Sequence, residues 1–403
     1  MRRHTRRQLF SATASLVGAG ILAGCTGNVD SAGAGGENAS GESGDTTAQS
    51  SFFVVGDFAS HIAGNAATAN TVVPVGQHGH GWEPGPQVQK AVLDSDLFVY
   101  TVEGFQPWAD DLVASLREDE ADITMVKAGS GIDLLEEGDD HGRDEANGTE
   151  DERGHDSESE HDGEQENQSD SGHNETDSKR DEGHRNENDS SHDEEHGNES
   201  SDEHGHAHQA EADPHFWLDP MRAKQAVSNI RQEFVDLDSA NADAYATNAD
   251  QYRSRLEDLD STIQSALNNR SKNVVFVAGH NAFRYLGERY EFEAETLTGL
   301  SPDDQPTPKD IERAQEIINE HGLEYVLTDP LESQKAAKQL VAETSAREVL
   351  PLTPMPGQTQ EWANKGWGYV EIMEQINLPT LKQALGVGWS SGESPVRVSA
   401  SNS

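Results

Sequence analysis

Along most of the chain, apolar positions follow one of two periods. Four short runs read as buried strands: Phe52-Phe53-Val54-Val55, Thr71-Val72-Val73-Pro74-Val75, residues 96–102 and residues 123–126. Between them, residues 57–69, 87–94 and 108–117 read as helices. Further along, residues 221–234 form an amphipathic helical pattern. Residues 240–268 then repeat Ala242, Tyr245, Ala249, Tyr252, Leu256, Leu259, Ile263 and Leu267 at helical spacing, with no Gly or Pro. Such a helix runs about 40 Å at 1.5 Å per residue. Alternation then restarts, with strands at 274–277, 292–297, 325–328 and 348–352. Helices are expected at 281–288, 308–321 and 331–344, and a closing helix pair at 360–385. The expected fold is α/β: two lobes with parallel sheets joined by a long rigid helix.

One segment breaks the pattern. Residues 136–210 carry almost nothing apolar, and hold 28 Asp and Glu against 5 Lys and Arg, with ten histidines. Such a tract cannot bury enough surface to offset its ordering entropy, so disorder is expected. Its densest part, His204-Gly205-His206-Ala207-His208, fits weak metal capture. Asn147, Asn167, Asn174, Asn188 and Asn198 open Asn-X-Ser/Thr sequences compatible with glycosylation.

The chain begins with Arg2, Arg3, Arg6 and Arg7, then a weakly apolar stretch over 9–22 that is too short to span a bilayer, then Leu22-Ala23-Gly24-Cys25. Thr5-Arg6-Arg7-Gln8-Leu9-Phe10 resembles a twin-arginine export signal, and Leu22–Cys25 resembles a lipobox with Cys25 as the lipidated residue. The expected division is a signal over 1–25, a flexible tether over 26–50, a first lobe over 51–238 interrupted by the tract at 136–210, a linking helix over 239–270, a second lobe over 271–388 and a tail over 389–403. The expected location is the outer face of the cell membrane.

Composition narrows the class. The 403 residues carry a formal charge of −45, about half of it in the tract. That charge excludes nucleic-acid binding by phosphate neutralisation. It suits solvation in high salt, hence a halophilic source. Cys25 is the only cysteine, so no intrachain disulfide forms.

Outside the signal, the tract and the helices, four histidines stand out: His78, His80, His215 and His280, each in a loop beyond an expected strand. In open α/β sheets ligands bind at the carboxyl ends of strands. Three neutral imidazoles with an oxygen or water suit tetrahedral Zn²⁺, whereas Mn²⁺ favours more carboxylate oxygen. The spacing matches no zinc finger and no H-E-x-x-H helix, so the ligands must converge in three dimensions. Taken alone, His215 equally fits a buried core histidine.

Three motifs carry a family resemblance. Val75-Gly76-Gln77-His78-Gly79-His80-Gly81-Trp82-Glu83-Pro84, Asp213-Pro214-His215-Phe216-Trp217-Leu218-Asp219-Pro220 and Gly279-His280-Asn281-Ala282-Phe283-Arg284 resemble, in order, the ligand loops of the solute-binding lipoproteins of zinc and manganese ABC importers. The resemblance covers roughly 52–385 without the tract. It implies two Rossmann-like lobes with the metal between them, and a monomer that delivers Zn²⁺ to a permease with its ATPase. By that register His80, His215 and His280 are ligands and His78 is extra. Histidine at the third motif is typical of zinc members. Many relatives place a fourth, acidic ligand after the last strand. Here that region reads Leu352-Thr353-Pro354-Met355-Pro356, without an acid. Water, Asp329, His78 or a tract histidine remain for that position, and Asp329 equally fits a helix-initiating acid before Pro330. A Mn²⁺-specific binder, a zinc-dependent hydrolase, and an extracellular zinc buffer or adhesin stand as alternatives.

Overall fold

The computed structural model describes residues 46–79, 81–136, 212–301 and 303–388. The first lobe contains β1 (Thr47–Ser50), α1 (Phe53–Ala63), β2 (Thr68–Thr71), α2 (Pro86–Leu93), β3 (Leu97–Tyr100), α3 (Pro107–Glu118) and β4 (Thr124–Lys127). Helix α4 (Pro220–Leu237) leads through a 3₁₀ turn into α5 (Ala242–Leu267). The second lobe contains β5 (Val274–Val277), α6 (Arg284–Tyr290), β6 (Glu293–Thr296), α7 (Pro308–Glu320), β7 (Tyr325–Thr328), α8 (Lys335–Glu343) and β8 (Glu348–Pro351). The chain then packs α9 (Gln360–Asn364), α10 (Tyr369–Ile372), a π-helical turn over Met373–Asn377 and α11 (Leu378–Ala384). The π turn sits where Pro379 would otherwise leave a helix bond unmade.

Both sheets are wholly parallel and share one strand order, β2-β1-β3-β4 and β6-β5-β7-β8. Central strands β3 and β5 are apolar on both faces because helices cover both faces. Leu97 and Val99 join the inner core while Phe98 and Tyr100 join the outer cluster beneath α2 and α3. In the second lobe Val275 and Val277 face inward, and Val274 and Phe276 face the cluster beneath α7 and α8. The inner core is continuous from Phe52 and Phe58 of the first lobe to Phe283, Leu350 and Tyr369 of the second.

Helix α5 is long, as its pattern predicts, and it is not a free-standing strut. It packs along α4 and α1 and then meets α6, α10 and α11. Its stripe Tyr245, Ala249, Tyr252, Leu256, Leu259, Ile263 and Leu267 is buried.

Several expected boundaries move. The run Phe52-Phe53-Val54-Val55, expected as a strand, opens helix α1, and the strand lies just before it over Thr47–Ser50, inside the expected tether. A short apolar run does not distinguish a buried strand from a buried helix turn, and here α1 is covered by the sheet, α4 and α5. Polar β1 is central nonetheless, paired on both edges, with Asp96 accepting from the Thr47 N–H and hydroxyl. Strand β2 ends at Thr71 and not at Val75, since Pro74 has no N–H to donate. Helix α8 starts at Lys335, leaving 331–334 as a loop. The signal with Cys25, the rest of the tether, residues 137–211 with His204, His206 and His208, and the tail from 389 lie outside the described residues.

Because the inner core spans both lobes, unfolding should be a single cooperative transition. Leu256→Ala should cost about 2–5 kcal/mol, read as a lower denaturant midpoint at unchanged slope.

Candidate metal centre

Loops of both lobes meet at one cleft, lined by His78 from the first and His280 from the second. In the second lobe β5 ends at Val277 and runs through Ala278-Gly279 into His280, which is 4% exposed. Gly279 keeps this passage narrow, since a Cβ there would meet Glu332 Oε2 at 3.1 Å. In the first lobe His215 is fully buried at the start of the 3₁₀ turn Phe216–Leu218, edge-on to Phe105 and Trp217. Asp219 then caps α4 by accepting from the Met221 N–H at 2.7 Å, and Arg222 bonds its other oxygen at 2.9 Å. Asp219 is therefore a cap that fixes where the 3₁₀ turn meets the helix.

The two rings face each other, with Nε2 to Nε2 3.4 Å apart. Each turns its other nitrogen to a carboxylate. His215 Nδ1 lies 2.9 Å from Asp213 Oδ1, and His280 Nδ1 lies 3.3 Å from Glu332 Oε1. A proton on each Nδ1 satisfies these carboxylates and leaves both Nε2 lone pairs pointing at one another. Two lone pairs so close repel unless a cation sits between them. Two ligands on a tetrahedral ion with bonds of 2.0–2.1 Å stand about 3.3–3.4 Å apart.

Electrostatics agree with a neutral His215. Burial, with His280 and His78 adding to it, holds His215 well below the ordinary imidazole range. Burial pushes Asp213 up to about 6, opposed by the His215 N–H that bonds it. Burial would raise Glu332 too, but its contacts with His280 and His78 outweigh this and hold it at about 2.

The other site residues fall into distinct places. His78 stands at the cleft wall with Nε2 3.4 Å from Glu332 Oε1 and its ring 6.4 Å from that of His280. His80 lies outside the described residues, but its predecessor is fixed on both sides: Gly79 N–H donates to Pro356 O at 2.9 Å, and Gly79 O accepts from Gln106 at 3.0 Å. A Cβ at Gly79 would strike Phe52 and Pro356 O at 2.6 Å. Asp329 is buried, and both its oxygens are engaged within the second lobe. Oδ1 accepts from Leu331 N–H at 2.7 Å and Oδ2 from the Thr353 hydroxyl at 3.0 Å. Among the described residues no three His, Cys, Asp or Glu side chains form a metal-holding group by themselves.

Glu332 was not among the residues read from the sequence. The pattern placed it inside a helix starting at 331, whereas the loop before α8 turns it into the cleft. Its one signal is an acid following the strand end Thr328-Asp329-Pro330.

The neck of the tract is pinned beside His215. Glu136 and Ala212 pair in an antiparallel bridge, and Asp213 N–H donates to Leu135 O at 2.8 Å. From the second lobe, the Tyr285 hydroxyl donates to Asp213 O at 2.6 Å and accepts from Leu135 N–H at 2.8 Å. Arg284 donates to Glu136 O at 2.6 Å.

The chain is similar to known proteins. A family model described as ZnuA, zinc-uptake complex component A periplasmic, matches residues 49–384. The high-affinity zinc uptake system protein ZnuA of Bacillus subtilis strain 168 is 28% identical over 334 residues, covering 83% of this chain and 86% of that protein. The zinc-binding protein AdcA of Streptococcus pyogenes serotype M3 is 28% identical over 333 residues, 82% of this chain, and the chain spans 54% of that longer protein. The Zn(II)-bound ZnuA-like domain of Streptococcus pneumoniae AdcA shares the fold, with a TM-score of 0.60 at 22% identity over 85% of this chain and 99% of that one.

Asp329 makes a testable contribution to stability. Burial, outweighing its two hydrogen bonds, lifts its carboxyl from 3.8 to about 7. A carboxyl raised in the folded state binds its proton more tightly there than in the unfolded chain. Its contribution is therefore most favourable below about pH 4 and is lost as pH rises towards 7. Asp329→Asn keeps an acceptor for Leu331 and removes this titration. In chelator-treated protein, the stability difference should move in favour of the variant between pH 4 and 8, by at most about 1.4 kcal/mol per pH unit. Denaturant titration of both proteins across that range reads it.

Proposed function

The chain belongs to the zinc-uptake complex component A family, and on that footing we propose that it is the solute-binding component of an ABC zinc importer. It captures Zn²⁺ between its two lobes through His80, His215 and His280 and passes the ion to a membrane permease driven by its ATPase. The observation that carries this reading is the pair of converging Nε2 atoms 3.4 Å apart, each backed by a carboxylate on Nδ1. Imidazole nitrogen without a shared carboxylate oxygen suits Zn²⁺ before Mn²⁺. His80 supplies the third nitrogen from the loop that Gly79 anchors, and water completes the shell. The relatives are named as zinc-uptake and zinc-binding proteins, and the reading is accordingly transport and not catalysis. The division into signal, tether, two lobes, linking helix and tail belongs to the same reading, as do twin-arginine export, lipidation at Cys25, a halophilic source and a monomeric state.

Competitive zinc titration in high salt tests it. His80→Ala, His215→Ala and His280→Ala should each weaken binding by more than about 100-fold, beyond the loss typical of a supporting residue. Wild-type affinity in His215→Ala or His280→Ala overturns the reading. Wild-type protein should prefer Zn²⁺ to Mn²⁺, and the opposite order would make it a manganese carrier.

Deleting 138–208 leaves the Glu136–Ala212 bridge to close the gap. Calorimetry on the deletion should show the tight site kept and only weak sites gone, since the tract raises local metal concentration through histidines such as His204, His206 and His208. Loss of the tight site would give the tract a ligand of its own.

A further inference from the structure

We propose that Glu332 is the positioning residue of the metal centre, one carboxylate that sets the tautomer of His280 and holds His78 out of the coordination shell. The inference rests on the zinc-capture reading. It adds a role for two residues, Glu332 and His78, that the ligand set leaves unassigned.

The argument begins with the two ligand histidines. His215 is oriented by Asp213, two residues before it on the same turn, which bonds both its backbone N–H at 3.0 Å and its Nδ1 at 2.9 Å. That arrangement is local and is built into the first-lobe loop. His280 has no such neighbour in sequence, since Ala278, Gly279, Asn281 and Ala282 flank it. Its Nδ1 is met instead by Glu332, 52 residues downstream, from the loop after β7. That loop is itself held: Glu332 N–H donates to Asp329 O at 3.1 Å, and Gln334 donates to Asp329 O at 2.8 Å and Glu332 O at 3.1 Å. A carboxylate mounted this way accepts the Nδ1 proton and keeps the Nε2 lone pair on the metal side.

The same oxygen, Oε1, lies 3.4 Å from His78 Nε2. A carboxylate oxygen has lone pairs for two donors, so one oxygen has the capacity to face both rings. His78 Nε2 therefore lies against the carboxylate at the cleft wall, with its ring centroid 6.4 Å from that of His280. His78 and His80 sit two residues apart on one loop. Retaining one on Glu332 leaves the other as the ligand. The resulting chain, His78–Glu332–His280, ties the first-lobe loop to the second-lobe ligand across the cleft.

The test uses full-length protein carrying Glu332→Ala, Glu332→Gln, His78→Ala, His280→Ala or the Glu332→Ala/His78→Ala pair. Zinc affinity is measured by competition, and the His280 tautomer by long-range proton–nitrogen NMR. Glu332→Ala should weaken zinc binding about 10–100-fold, and metal-free His280 should lose its uniform Nδ1–H form. Glu332→Gln, whose amide oxygen still accepts, should recover most of both. His78→Ala should bind within a few-fold of wild type, and adding it to Glu332→Ala should cost nothing more. Wild-type affinity and an unchanged His280 tautomer in Glu332→Ala overturn the proposal. A loss in Glu332→Ala as large as in His280→Ala makes Glu332 a ligand and also overturns it, as does an equally large loss in His78→Ala. If His280→Ala itself binds zinc normally, it is the zinc-capture reading that fails.

Discussion

The molecule depends on the apolar core that its two lobes share. The lobes are separate sheets, yet Phe52, Phe58 and Trp217 from one side and Phe283, Leu350 and Tyr369 from the other lie in one packed cluster. Close-packed interiors resist small displacements. That stiffness fixes the distance between strand ends that belong to different sheets. His215 and His280 come from different lobes, and their 3.4 Å separation depends on this packing. Polar cross-ties reinforce it at depth. Trp217 donates to Pro354 O at 2.8 Å, and the Tyr369 hydroxyl donates to Trp217 O at 2.6 Å.

Within that frame the two carboxylates do complementary work. Asp213 is buried, raised by that burial, and supported only by the groups around it. Glu332 is partly open to the cleft and held down by two imidazoles. A buried carboxylate against a neutral imidazole is tolerable because it accepts a charge-assisted hydrogen bond from Nδ1–H. A cation arriving at the Nε2 side strengthens both bonds, since positive charge on the ring makes each Nδ1–H a better donor. Metal binding and ring orientation therefore support each other, and protons compete with the metal for the same nitrogens.

Much of this was legible in the sequence. The three motifs and the helical stripe of α5 announced two α/β lobes, and His215 and His280 were picked out as residues that the fold brings together. What escaped has physical causes. Phe52–Val55 is apolar on every side because α1 is enclosed, and an enclosed helix turn has no polar face to betray its period. Strand β1 is built from Thr47, Ala48, Gln49 and Ser50, whose place at the centre of the sheet is set by backbone pairing and not by side-chain hydrophobicity. Glu332 was hidden for a different reason. One acid among 74 Asp and Glu is marked only by its place after a strand end, and the late start of α8 turns it inward.

The loop after β8 shows how the fold handles a missing acid. Thr353-Pro354-Met355-Pro356-Gly357-Gln358 offers no carboxylate to the cleft, and it is far from slack. Met355 is fully buried at φ 60°, a left-handed conformation that a side chain adopts only when its surroundings hold it there. The carbonyls that follow are spent on the opposite lobe, Pro356 O on Gly79 N–H at 2.9 Å and Gln358 O on Gly76 N–H at 2.8 Å. Gly357 lets the loops touch, since a Cβ there would fall 2.2 Å from Gln77 O. The segment therefore acts as a backbone clamp on the loop that carries His78 and His80. Acidic support enters from the neighbouring strand end instead, through Glu332. In this chain the end of β8 holds the loop that carries His78, while the loop after β7 brings Glu332 to His280. The two jobs fall to adjacent strands of one sheet, whose spacing the parallel ladder of β7 and β8 holds constant.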